Sequence, residues 1–86
     1  MGMNAQQAAD LMNKNKIKLS FDDLKSIMDE SIEFMAGRGH NVTCEQFGGK
    51  YIITPETREE IVKHYENEGY TVSWTNDYLS IRWGNV

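Results

Sequence analysis

The chain has 86 residues, of which 40% are hydrophobic and 10% aromatic, a length and composition typical of one packed globular domain and not of a disordered chain. Its apolar runs are no longer than three residues, so we expect no membrane partner and no secretory signal. We expect a single cytoplasmic domain over residues 1–86, in which residues 1–3 are an added or disordered start. The formal net charge is −4 and the single cysteine, Cys44, cannot form an internal disulfide, which favours a reducing compartment.

The acidic residues are concentrated in two segments that we predict to be helices. Residues 21–36 contain five acidic residues and one lysine, and residues 55–68 contain five acidic residues and two basic ones. The two segments therefore carry charges of −4 and −3, which leaves +3 for the rest of the chain. Because acidic helices repel phosphates, nucleic acid is not the partner that we expect.

The first predicted element is a short N-terminal helix over residues 4–13. Its apolar residues recur at helical spacing: Ala5, Ala8, Ala9 and Met12. Such a short and weakly apolar helix would be marginal on its own. Residues 14–20 carry three lysines and are predicted to be a linker or an extended, edge-like segment.

The first strongly amphipathic helix is predicted over residues 21–36. Ser20 can cap its first turn, and Gly37 can end it in a left-handed conformation. The apolar residues recur three and four apart, as one buried stripe requires: Leu24, Ile27, Met28, Ile32 and Met35.

Residues 41–54 are predicted to form a β-hairpin. The pair Gly48-Gly49 can adopt the positive φ angles of a two-residue turn. Pairing around this turn places four residues on one face: Val42, Cys44, Tyr51 and Ile53. Cys44 is then expected to be a buried small hydrophobic residue, whereas Phe47 and Ile52 would fall on the other face.

The second amphipathic helix is predicted over residues 55–68. Thr54 provides a capping hydroxyl and Pro55 suits the first helical position. The expected buried stripe consists of Ile61, Val62 and Tyr65.

The last segment, residues 70–83, is predicted to be a second hairpin that turns at Asn76-Asp77. Pairing around this turn places the large apolar residues on one face: Tyr70, Val72, Trp74, Leu79, Ile81 and Trp83. A shift of one residue would expose all of them, so the register is well specified and both tryptophans are expected in the core. The predicted fold is therefore α+β, with a small antiparallel sheet covered on one face by the two amphipathic helices.

Few residues are available for catalysis or metal binding. His40 and Cys44 would lie about 13 Å apart on a strand, too far for one metal ion. Glu60, His64 and Glu68 share a helix face, where ordinary ion pairs are expected. We therefore predict a non-enzymatic protein with no catalytic, cofactor-binding or metal-binding residues and no cofactor.

The end of the chain resembles small accessory proteins of tailed bacteriophages, mainly over residues 56–83. The pattern is a helix that ends in E-x-G-Y-x-V, followed by a hairpin that ends in I-x-W: Glu68, Gly69, Tyr70, Val72, Ile81 and Trp83. The resemblance implies a protein of the infected bacterial cytoplasm that binds a host protein. It assigns a role to no individual residue.

We therefore predict a binding protein that inhibits or redirects a bacterial host protein through an acidic surface. The expected partner-binding residues are Asp22, Asp29, Glu33, Glu56, Glu59, Glu60, Tyr78 and Arg82. One alternative is a virion structural protein or homo-oligomer that pairs through an exposed hairpin edge. Another is a weak nucleic-acid-binding module.

Overall fold

The computed structural model describes residues 2–84 and confirms the α+β class. The elements, in chain order, are α1 (Ala5–Lys14), β1 (Ile17–Lys18), α2 (Phe21–Gly37), β2 (Val42–Gln46), β3 (Tyr51–Ile52), α3 (Pro55–Asn67), β4 (Thr71–Thr75) and β5 (Tyr78–Arg82). Both amphipathic helices lie within one residue of their predicted bounds. No helix in this part of the chain is long and apolar enough to cross a membrane.

Three antiparallel strands form the main sheet, in the order β2-β5-β4. The hairpin of β4 and β5 has the predicted register, in which Val72 pairs with Ile81 and Trp74 with Leu79. Its turn places Asn76 at a φ of 55°, in the left-handed region that asparagine tolerates better than most residues. Helix α2 packs on β2 and α3 packs on β4, so the two helices cover one face of the sheet.

The predicted hairpin over residues 41–54 is wrong. Strand β2 pairs with β5 at the edge of the main sheet, while β3 pairs in parallel with β1. The backbone amide of Ile17 donates to the carbonyl of Lys50 at 2.7 Å. The segment predicted to be a linker or extended stretch therefore contributes a short strand.

Phe47 explains why β2 faces the opposite way from the prediction. Residues two apart on a strand share a face, so burying Phe47 also directs Thr43 and Glu45 toward the helices. Phe47 and Thr43 are buried, whereas Cys44 is exposed. The expectation of a buried Cys44 is thus wrong, because the larger apolar side chain determines which face of β2 is inside.

The core contains nine buried apolar side chains: Leu19, Leu24, Met28, Phe47, Ile61, Tyr65, Val72, Leu79 and Ile81. Trp74 and Trp83 pack against this core but remain half-buried. The prediction that both tryptophans lie in the core is therefore confirmed only in part. The guanidinium of Arg58 lies 4.3 Å from the centre of a Trp74 ring. Since Arg58 covers the ring, Trp74 does not present an open aromatic platform.

Helix α1 makes the molecule long. It contributes no buried side chain, and the molecule measures 57 × 25 × 19 Å. The radius of gyration is 15.7 Å, whereas a compact domain of this length has a value of about 12 Å. We infer that α1 projects away from the packed core.

Candidate protein-binding surface

A groove runs between α2 and the free edge of β2. It has a volume of about 320 Å³ and is lined by Ile27, Glu30, Ser31, Phe34 and Glu45. The four helical residues are spaced at i, i+3, i+4 and i+7, which places them along one side of α2. This set of five residues is called the α2–β2 groove below.

Phe34 stands at the rim of the α2–β2 groove and is 59% exposed. On its other side is a second hollow, which Glu33 and Arg38 help to line. The guanidinium of Arg38 lies 4.6 Å from the centre of the Phe34 ring. A large aromatic side chain is therefore presented to solvent beside two hollows and among charged groups.

A chain of hydrogen bonds orients Glu45 within the groove. The hydroxyl of Ser31 donates to a Glu45 carboxylate oxygen at 3.0 Å and is also hydrogen-bonded to the hydroxyl of Thr43. Since the Ser31 proton goes to Glu45, the Thr43 hydroxyl donates to Ser31. No basic side chain pairs with Glu45 within residues 2–84, so its negative charge remains available to a ligand.

The outer edge of β2 offers unpaired backbone groups beside the groove. Towards β5, the carbonyl of Asn41 accepts from the amide of Trp83 at 2.9 Å, and the amide of Phe47 donates to the carbonyl of Asp77 at 2.8 Å. Because backbone groups alternate in direction along an antiparallel strand, the amides and carbonyls of Val42, Cys44 and Gln46 point to the outer edge. In the described part of the chain, no strand pairs with that edge.

The predicted site residue Asp29 is exposed, but its carboxylate already makes contacts within the chain. The phenol of Tyr65 donates to its carboxylate at 2.7 Å, and the Lys25 ammonium also lies at 2.7 Å. Partial burial opposes the charge, but the hydrogen bonds from Lys25 and Tyr65 outweigh it and hold the pKa of Asp29 below its ordinary value. Asp29 therefore joins α2 to α3, and a partner would have to compete with these contacts.

Among the other predicted residues of the helices, Glu59 pairs with Lys63 at 3.1 Å. The rest are exposed and make no ion pair within residues 2–84: Asp22, Glu33, Glu56 and Glu60. Of these, only Glu33 lies beside Phe34.

Tyr78 and Arg82 lie on a different surface from the acidic helices. Their neighbours Leu79 and Ile81 are buried under α2 and α3, so strand alternation directs Tyr78 and Arg82 to the uncovered face of the sheet. The eight predicted residues thus do not converge on one site.

The sequence interpretation did not select Glu30, Phe34 or Glu45. One signal for this surface was present, because Phe34 lies at the border of the apolar stripe of α2, seven residues after Ile27. A large exposed apolar residue at the border of the buried stripe indicates a contact other than the core. Glu45 had no such signal, since its position depends on the partner of β2.

His64 is engaged in contacts within the chain. His64 packs edge-on against the rings of Phe21 and Tyr65, and its Nε2 atom lies 3.4 Å from Glu68. In residues 2–84, no three histidine, cysteine or acidic side chains are grouped so that they could hold a metal ion.

In comparisons with known proteins, no family model, no curated protein and no solved structure matches this chain.

Proposed function

We propose that this chain is a non-enzymatic binding protein that recognises a basic surface of another protein. The observation that carries this proposal is the exposed Phe34, which stands beside a groove and next to Glu30 and Glu33, whose carboxylates make no ion pair within residues 2–84. Aromatic side chains are enriched in the centres of protein interfaces. Carboxylates around such an anchor attract a basic partner and repel an acidic one.

The class of partner follows from the resemblance to phage accessory proteins over residues 56–83. We propose that the partner is a bacterial host protein and that the chain inhibits or redirects it in the cytoplasm of an infected cell. The acidic surface supports this assignment, since it can occupy a basic groove that normally binds phosphate groups.

The test compares two charge reversals of equal size. The double variant Glu30→Lys with Glu33→Lys changes the surface around Phe34, and the control Glu56→Lys with Glu60→Lys changes α3 by the same charge. Partners captured from bacterial lysate by the wild type would be identified and then purified for titration. We expect the first variant to bind the purified partner at least about tenfold more weakly and the control to bind as the wild type does. Equal binding by all three proteins would refute the proposed surface.

A second candidate function is self-assembly, and the exposed side of α1 favours it. Leu11 and Met12 are 47% and 53% exposed on a helix that buries no side chain. Light scattering would show a defined oligomer if assembly is the function, and Leu11→Lys with Met12→Lys would return it to monomer. A wild type that stays monomeric at all concentrations would exclude this candidate.

A further inference from the structure

We propose that the outer edge of β2 binds an extended basic segment of the partner as a fourth strand of the sheet. This inference rests on the proposed function and specifies the form of the ligand. The segment would pair with β2 and place every second side chain in the α2–β2 groove.

The backbone of β2 is suited to strand addition. Val42, Cys44 and Gln46 direct their amides and carbonyls to the outer edge, where an extended peptide can satisfy them. Natural edge strands are commonly protected by lysine, proline or a bulge. Strand β2, with the sequence VTCEQ, has none of these, and its one charged residue is Glu45.

The side chains of the groove determine which segment can bind. On an added strand, alternate side chains lie on the same face as Thr43 and Glu45 and therefore enter the groove. There they would meet the apolar surface of Ile27 and Phe34 and the carboxylates at its border. A lysine or arginine opposite Glu45 makes a favourable cross-strand pair. The matching ligand therefore has basic and apolar residues in turn at the positions that face the groove, which are every second residue of the segment.

Charge also argues against a second copy of this chain as the occupant. Antiparallel pairing of two β2 strands would bring two sets of Glu30, Glu33 and Glu45 to one interface. Like charges in close contact are destabilising, whereas a basic segment neutralises the same groups. Glu45 thus protects the edge against self-pairing and selects a basic ligand.

The first experiment uses the unaltered protein and two synthetic peptides. The probe is a short fluorescent peptide with the repeat Lys-Thr-Val-Thr, which places lysine and valine in turn on one face of the strand, and its control has the same sequence with every second backbone nitrogen methylated. Methylation removes the hydrogen-bond donors of one edge and keeps the charge. By fluorescence anisotropy at low ionic strength, we expect the control to bind at least about tenfold more weakly.

The second experiment removes a donor from β2 itself. Cys44→Pro eliminates the outward amide, which bonds to no strand in the described part of the chain, and Cys44→Ser keeps it. We expect the serine variant to bind the probe as the wild type does and the proline variant to bind at least about tenfold more weakly. Circular dichroism checks that both variants fold. If the proline variant does not fold, the methylated peptide remains the deciding measurement.

The outcomes separate this inference from the proposed function. Equal binding of the two peptides would overturn strand addition, as would failure of both to bind, whereas the loss of partner in the Glu30 and Glu33 variant would still support an acidic binding surface. A dimer of the free protein that dissociates in Cys44→Pro would identify a second copy as the occupant and would also overturn the inference.

Discussion

Helices α1 and α2 both begin with a capping box. In α1 the Asn4 side chain accepts from the amide of Gln7 at 2.8 Å, and in α2 the Ser20 hydroxyl accepts from the amide of Asp23 at 3.2 Å. In both helices the third residue completes a capping box by accepting from the backbone amide of the cap. Local sequence therefore specifies both starts equally well.

The two helices differ in what they pack against. Helix α2 buries Leu24 and Met28 completely, whereas α1 buries no side chain. Most of the stability of a helix in a protein comes from packing of its apolar face. Interactions among residues 19–83 should therefore supply most of the free energy of unfolding, and α1 should contribute little to it.

The largest expected effect comes from the core. Ile61 is fully buried, so Ile61→Ala removes apolar contacts, leaves a cavity and should lower the free energy of unfolding by about 2–5 kcal/mol. The matched change in α1, Leu11→Ala, should cost less than about 0.5 kcal/mol because Leu11 is exposed. Urea unfolding followed by circular dichroism measures both. A loss of more than about 1 kcal/mol for Leu11→Ala would show that α1 packs on the core.

An intermediate effect is expected where α2 joins α3. Tyr65→Phe removes the hydrogen bond to Asp29, which should cost about 1–2 kcal/mol. We place it near the lower end of that range, because Asp29 remains accessible to water. The same urea titration measures the loss at neutral pH.

The pH dependence of this contact has a definite sign. The pKa of Asp29 is lowered from 3.8, so its stabilising effect is complete above about pH 4 and is lost as the pH falls through the lowered pKa. Burial, together with the hydrogen bond to Asp29, raises the pKa of Tyr65 above its ordinary value of 10.0, so the wild type should lose stability above about pH 10. In Tyr65→Phe the part of the alkaline loss that comes from Tyr65 should be absent, and the part that comes from Lys25, whose pKa is also raised by Asp29, should remain. Parallel stability curves for both proteins above pH 10 would contradict this account.

The smallest expected effect on the free energy of unfolding comes from removing a helix cap, and it should differ between α1 and α2. Ser20→Ala should lower the free energy of unfolding by about 1 kcal/mol, because α2 belongs to the cooperative core. Asn4→Ala removes the same kind of cap but should leave global unfolding unchanged and only reduce the helical signal of the folded protein. Urea titrations of the two variants, run side by side, test this. Equal global losses would mean that α1 and α2 unfold as one unit.

Local sequence patterns predicted the helices and the last hairpin, because the residues of each of these elements specify its structure without reference to the rest of the chain. Alternation along residues 70–83 leaves one register that buries the large side chains. In contrast, Gly48-Gly49 indicates a turn but does not determine which strands pair. Strand β2 pairs with β5, which is more than thirty residues away in the sequence. Phe47 determines which face of β2 is buried.

The candidate site was only partly predictable for the same reason. Glu33 could be selected as an exposed acidic residue, and the position of Phe34 at the border of the apolar stripe was a further signal in the sequence. The α2–β2 groove could not be foreseen, because Glu45 enters it only when β2 lies at the edge of the sheet beside α2. Asp29 was selected for its charge, although its contact with Tyr65 becomes visible only when the two helices are packed together.

The 57 Å length of the molecule also affects how its behaviour in a gel-filtration column should be interpreted. Such columns separate particles by Stokes radius, and a projecting helix increases that radius without adding mass. A single chain should therefore elute earlier than a compact chain of the same mass. Elution volume alone would therefore overestimate the mass of the particle, and light scattering is the measurement that gives it.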